Sequence, residues 1–224
     1  MRLRRLRSFS LTTINAESKN MKFLTAITLV TFFLMGCGSP NLDDPATLDK
    51  ILAEAMDWDS LQKRGKEGEE LYYAPNQQTP FTGWAKKMYE TGQVCFLLQL
   101  SEGKYSGVRH DWYENGQKCI EIENMLQGTG YKQAWFKNGQ KHQHLEFRDS
   151  LLISAETWKP NGETCPKTSL ENGTGILISY YEGGSVQLEE NFKNGKKNGL
   201  TTYYQKNGGK KLFEYLYEDG GIVE

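Results

Sequence analysis

The stretch Trp112-Tyr113-Glu114-Asn115-Gly116-Gln117 recurs with few changes as Trp135-Phe136-Lys137-Asn138-Gly139-Gln140. In both copies, two aromatic residues run directly into a glycine turn. Such turns occur six times at intervals of 22 to 24 residues, at Gly92, Gly116, Gly139, Gly162, Gly184 and Gly208. A fixed period of this length predicts a repeat protein, in which each unit buries its apolar groups against its neighbours.

Each copy predicts a β-hairpin. Asn-Gly is the strongest short hairpin signal, and apolar residues alternate after the turn, as at Phe96, Leu98 and Leu100. We therefore expect an all-β fold. Its main part would be an elongated antiparallel meander of about six hairpins over residues 83–224, preceded by a short helix and a signal segment.

Aligning the copies places a large side chain at one shared position, forming an aromatic column of Met88, Trp112, Trp135, Trp158, Tyr180 and Tyr204. Buried rings in this column would hold a single-layer sheet together. Exposed rings would instead offer a contact surface, as would the sheet edges. The fourth copy carries Pro160 and Pro166, and because proline cannot donate to a ladder, the pairing should bend or break there.

The repeats resemble the bacterial variant of the MORN repeat, most clearly over residues 107–121 and 175–204. The resemblance extends from Gly83 to Gly220. It implies an elongated binding module without catalytic residues. Many bacterial proteins with such repeats carry the label of YwqK-type antitoxins, which implies a toxin as one class of partner.

An uncharged, largely apolar stretch of 13 residues, 23–35, follows Lys22. It is shorter than the roughly 20 residues that span a bilayer, so residues 21–37 predict a signal peptide. Their ending, Leu34-Met35-Gly36-Cys37, resembles the lipobox of bacterial lipoproteins. That resemblance implies lipidation of Cys37 and a membrane-anchored chain in the cell envelope, at the outer membrane where the host has one. The alternative is a plain secretory signal with an incidental cysteine.

Residues 1–20 are rich in Arg and Ser, and we expect them to be a leader extension before a natural start at Met21. An organellar transit peptide is the alternative. Residues 38–82 predict a tether, a short helix and a capping hairpin for the array. Asp44 and Pro45 form a helix start, and an apolar stripe follows at Leu48, Ile51, Leu52 and Ala55.

The charge balance argues against a nucleic-acid partner. The net charge is −1, but residues 1–37 hold six basic residues and one acidic residue. The remainder has 21 basic and 27 acidic residues, a net charge of −6. An acidic surface of this kind would repel a phosphate backbone.

Cys95, Cys119 and Cys165 each lie three residues after a turn glycine, and His142 takes that place in the third copy. Alternate strands of a sheet are roughly 10 Å apart, whereas a disulfide needs Cα atoms within about 7 Å. We therefore expect free or packed thiols. The same spacing excludes a metal shared along this column.

Two further clusters could carry chemistry. His142, His144 and Glu146 share a strand face and could bind a metal, while paired carboxylates occur at Glu121, Glu123, Glu189 and Glu190. Only three histidines exist and the third, His110, belongs to another copy, while the carboxylates recur with the repeat, so we expect a solvated polar face for both. Motifs of hydrolases, phosphate loops and dinucleotide sites are absent from the sequence.

The sequence thus favours a lipid-anchored, non-enzymatic protein that presents its repeats to a protein partner and needs no cofactor or metal. One alternative is an antitoxin or immunity protein whose partner is a toxin. The other is a metal-dependent envelope hydrolase that uses His142 and His144.

Overall fold

The computed structural model describes residues 40–125 and 128–223. The predicted leader, signal peptide and Cys37 lie outside these residues. A single α-helix, α1, is present in the part of the chain described, at Pro45–Glu54. It begins as predicted, because the Asp44 side chain accepts a hydrogen bond from the backbone N–H of Thr47 at 3.0 Å.

The rest of the described chain is mainly β-strand, with a short 3₁₀ turn at Trp58–Ser60. The strands are β1 (Met56–Asp57), β2 (Gln62–Arg64), β3 (Leu71–Tyr73), β4 (Gly83–Met88), β5 (Val94–Ser101), β6 (Lys104–Trp112), β7 (Lys118–Glu123), β8 (Gly130–Trp135), β9 (Lys141–Arg148), β10 (Leu151–Thr157), β11 (Gly175–Tyr180), β12 (Val186–Lys193), β13 (Lys196–Tyr204), β14 (Lys211–Glu218) and β15 (Gly221–Val223). The prediction of a mostly β chain with a short N-terminal helix is confirmed.

The strands form three sheets. The first has the order β1-β4-β5-β6-β7-β8-β9-β10, the second has the order β11-β12-β13-β14-β15, and β2 pairs with β3 alone. All neighbours are antiparallel except β1 and β4, which run parallel. Antiparallel sheets are therefore confirmed as well.

The ladder breaks between β10 and β11, in the copy where the prolines predicted an interruption. Only isolated bridges form there, among them Trp158 with Thr164 and Ala155 with Leu170. The Cys165 N–H still donates to the Thr157 carbonyl at 2.8 Å. The next residue, Pro166, has no N–H with which to continue the ladder.

Helix α1 and the segment before β4 cover opposite faces of the first strands. On one face, Ile51 and Ala55 pack with Leu97 and Trp112. On the other, Trp58 and Tyr72 are among the residues that pack against a buried cluster of Ala85, Leu98 and Leu100. Leu97 and Leu98 point to opposite sides of β5, as the alternation of a strand requires.

The two larger sheets share buried side chains near the interrupted copy. Leu145 and Leu152 of the first sheet pack with Leu177 of the second, together with Ala155 and Leu170. A second cluster joins Phe136 to Cys165, Ile178 and Tyr180. At the break, side-chain packing therefore takes the place of a regular ladder of backbone hydrogen bonds.

The six turn glycines have the same backbone conformation, with φ between +82° and +87°. At Gly116, the glycine N–H donates to the Tyr113 carbonyl at 2.9 Å, and the Tyr113 N–H donates to the Gln117 carbonyl at 2.8 Å. The equivalent two bonds close the turns at Gly92, Gly139, Gly162 and Gly184. Each turn thus needs a residue in the left-handed region, which glycine adopts without a steric penalty.

Replacing Gly116 by alanine should lower the free energy of unfolding by about 1–2 kcal/mol, the cost of a left-handed alanine. A Cβ at Gly116 would lie 3.4 Å from the Gln93 Oε1 atom, so crowding adds little. Gly183 is the matched control, because its φ is not positive and no atom lies within 4 Å of an added Cβ. Urea unfolding should show no loss for Gly183→Ala, and equal losses for both variants would contradict the turn assignment.

Candidate interaction surface

The last three strands expose most of the large apolar side chains that the described residues leave in contact with water. Nine such side chains are exposed in those residues, and seven of them lie in β13, β14 and β15. Their exposed fractions run from 39% to 60%, at Leu200, Leu212, Phe213, Tyr215, Leu216, Ile222 and Val223. Exposed large apolar side chains gathered on adjacent strands are typical of a binding site.

Strand register separates this surface into two faces. Leu200 lies opposite Leu216, which lies opposite Val223, so these three form an aliphatic row. The other face is aromatic: the ring centroids of Tyr203 and Phe213 are 4.6 Å apart, and those of Phe213 and Tyr215 are 5.6 Å apart. Rigid, half-exposed rings are the side chains that protein interfaces favour.

The same strands form an open sheet edge. β15 pairs with β14 only at Leu216, Tyr217 and Glu218. In the described chain, the first five residues of β14, 211–215, therefore have no strand on that side. The sequence of β15, Gly221-Ile222-Val223, contains neither a charge nor a proline to discourage pairing.

The aromatic column predicted from the repeats divides into core and surface. Trp112 and Tyr180 are buried in two separate apolar clusters. Trp135 and Trp158 are half-buried, with the Nζ atoms of Lys118 and Lys141 lying 5.3 and 5.4 Å from their respective ring centroids. At the ends of the column, Met88 is exposed and Tyr204 is half-buried.

A second column consists of the tyrosines that follow these residues, and the sequence did not predict its role. Each hydroxyl donates a hydrogen bond to the backbone carbonyl of the column residue one repeat further on. The bonds run from Tyr89 to Trp112 at 2.9 Å, from Tyr113 to Trp135 at 2.8 Å, and from Tyr181 to Tyr204 at 2.9 Å. The recurrence of Tyr at this position was the available signal.

The third copy has Phe136 in place of this tyrosine. Its ring is 2% exposed, and it lies against Cys165, Ile178 and Tyr180 rather than against the next turn. The loss of the hydroxyl coincides with the loss of regular pairing in the fourth copy, and the ring fills the junction between the two sheets.

The three cysteines that follow turn glycines are free thiols. Cys95 and Cys119 are half-buried, and Cys165 is buried. Burial raises the pKa of Cys119. At Cys165 burial acts in the same direction, but the Tyr180 hydroxyl, which donates to its Sγ atom at 2.9 Å, helps to hold the pKa below its usual value.

The expectation of solvated carboxylates is wrong for Glu123 and Glu190. Both are buried beside a partner on a neighbouring strand: Glu123 Oε1 lies 2.9 Å from His110 Nε2, and Glu190 Oε1 lies 2.5 Å from Lys197 Nζ. A buried carboxylate is stable when it is paired in this way. Glu189 is half-buried.

Glu121 is half-buried beside the pair formed by His110 and Glu123. Burial raises its pKa, but hydrogen bonds donated by Tyr131 and Lys118, at 2.5 and 2.9 Å, outweigh burial and hold the pKa below its usual value. Glu121 is therefore a charged structural group. It links strands β7 and β8 rather than facing an open site.

His142 is also less exposed than expected. Its ring packs against Phe136 with centroids 4.3 Å apart and the ring planes tilted by 32°, its Nε2 atom is buried without a partner, and burial lowers its pKa. The Nδ1 atom of His144 lies 3.1 Å from Oε1 of Gln133, and its Nε2 atom lies 3.6 Å from Oε1 of Glu146. Across the residues described, no group of three or more His, Cys, Asp or Glu side chains is arranged to hold a metal ion.

Three comparisons with known proteins bear on identity. No protein-family model, curated protein or solved structure matches the chain. Within residues 40–125 and 128–223, no helix is long and apolar enough to cross a membrane.

Proposed function

We propose that this chain is a protein-interaction module, built from a MORN-type array of about six hairpin repeats. In this proposal it is displayed on the bacterial envelope by a lipid on Cys37, and it has no enzymatic activity. The observation that carries the proposal is the exposed apolar surface of β13, β14 and β15.

The repeat assignment draws support from contacts that recur once per copy. The turn glycines share their φ values, and tyrosine hydroxyls reach the carbonyl 22 or 23 residues further along the chain. Asn115 and Asn138 also donate to the carbonyls of Lys137 and Pro160, again one repeat on. A period in the contacts as well as in the sequence is typical of a repeat array.

A protein partner fits the surface better than a small molecule does. The exposed side chains lie along three strands of an open sheet, and ligand sites for small molecules are normally concave. Aromatic anchors beside unpaired backbone groups suit a polypeptide, which can supply both side chains and hydrogen bonds. A toxin that bound here would make the chain an antitoxin.

Replacing Phe213 by lysine should reduce partner capture at least tenfold. The charge would lie between Tyr203 and Tyr215, where a bound partner would have to desolvate it. The measurement is quantitative recovery of proteins bound to the tagged chain from host membranes. Met88→Lys is the control, since Met88 is an exposed apolar residue outside this surface. Equal recovery with both variants, each shown to be folded, would refute the proposed function.

Replacing Cys37 by serine should release the protein from host membranes and abolish its labelling by fatty acid. Serine keeps the size of the side chain but lacks the thiol that the lipid requires. Membrane fractionation and labelling in growing cells measure the two effects. Unchanged attachment and labelling would show that Cys37 does not anchor the chain.

A further inference from the structure

We infer that the open edge formed by β14 and β15 pairs with the same edge of a second copy of this chain, so that the sheet continues from one copy into the other. This inference rests on the proposed function, because it names a partner for the proposed surface. The pairing would be antiparallel and two-fold symmetric, with each copy using the same residues.

The two ends of the repeat region differ in how far the faces of the sheet are covered. At the beginning, β1 pairs with Ala85 and Lys86 of β4, and both faces of the sheet are covered, by α1 and by the residues before β4. At the end, the described chain places nothing over β14 and β15. Repeat arrays need both terminal units covered, and a second copy supplies the missing cover.

Unpaired backbone groups along the edge of β14 also favour the addition of a strand. β14 has eight residues and β15 has three, so the pairing between them leaves residues 211–215 with free donors and acceptors along one side. Exposed edges of this kind template the addition of another strand. Because side chains alternate along each strand, an edge contact also brings cover to both the aliphatic and the aromatic face.

The exposed apolar area of β13, β14 and β15 also favours a dimer. A large apolar side chain that is half exposed leaves on the order of 80–100 Å² in contact with water, so the seven side chains leave roughly 600 Å² per copy. Complete burial of all seven in both copies would remove about 1,200 Å², the lower limit for a stable protein interface; an edge contact covers those nearest the edge, and backbone pairing along residues 211–215 adds to it. The surface is large enough for a dimer and needs little more than its own duplicate.

Charge also favours the antiparallel arrangement. Lys210 and Lys211 lie at the beginning of β14, and Glu218 and Asp219 lie at its end. In a two-fold pairing the two β14 strands run in opposite directions, which places the basic end of one copy on the side of the acidic end of the other. A parallel pairing would place like charges on the same side.

The test is the mass of the purified full-length, lipid-anchored chain in detergent, measured by sedimentation with the detergent density-matched. We expect twice the mass of one chain at concentrations on the order of 10 µM. Ile222→Lys puts a charge at the centre of β15 and should raise the dimer dissociation constant at least tenfold. Since Ile222 is 60% exposed, the melting temperature should change little. Met88→Lys should remain dimeric.

A monomeric wild-type chain, or an Ile222→Lys variant that stays fully dimeric, would overturn the inference. A monomer that still captures another protein through Phe213 would overturn the inference and leave the proposed function intact. A dimer whose capture of other proteins is unchanged in Phe213→Lys would support self-association and remove the wider function.

Discussion

Replacing Phe136 by alanine should lower the free energy of unfolding by about 3–5 kcal/mol, the range for a buried phenylalanine. The ring lies among Cys165, Ile178 and Tyr180 and packs against His142. It therefore joins the end of the first sheet to the second, where no regular ladder connects them. An alanine would leave a cavity at that junction, and urea unfolding would measure the cost.

Phe213→Ala is the control for Phe136→Ala, because it removes the same side chain from a position that is 48% exposed. Its cost should be about 2 kcal/mol, since about half of the Phe213 side chain is already in contact with water. Similar losses for the two variants would mean that Phe136 does not hold the sheets together. A loss at Phe136 confined to residues 175–223, seen by hydrogen exchange, would further locate the effect.

Leu97→Ala should lower the free energy of unfolding by about 2–5 kcal/mol. Leu97 is completely buried in the cluster that it forms with Ile51, Val94 and Trp112. Helix α1 has ten residues, too few for an isolated helix to be stable in water, so it depends on this packing. Amide hydrogen exchange in residues 45–54 should therefore accelerate along with the loss of global stability.

Leu200→Ala removes the same side chain from the exposed face of β13 and serves as the control. It should change the unfolding free energy by less than about 1 kcal/mol and leave exchange in α1 unaltered. If Leu97→Ala weakened the protein without any effect on α1, the helix would be held by contacts other than this cluster.

The antiparallel strands, the glycine turns and the start of α1 were predictable because local chemistry determines them. A left-handed turn position favours glycine, although Glu102 and Ser150 also have positive φ, and Asp44 before Pro45 favours a helix start. The break at the fourth copy was predictable for the same reason, because Pro166 cannot donate a ladder hydrogen bond. Each of these features depends on a few consecutive residues.

The contacts that define the candidate surface were not predictable, because they depend on distant residues. The sequence predicted a solvated Glu123, because it does not show that His110 on another strand pairs with this carboxylate. A large side chain occupies the shared column position in every copy, so the repeat pattern cannot tell that Trp112 lies under α1 while Met88 is exposed. The separation into two sheets, with Phe136 between them, likewise depends on packing across the break.

Photo-crosslinking in the native host tests the interaction surface most directly. A benzophenone amino acid would replace Tyr215, which is 44% exposed within the surface, and in a control would replace Tyr105, which is 37% exposed outside it. The account predicts a discrete protein adduct from position 215 and none from position 105. No adduct from position 215, or the same adducts from both positions, would contradict it.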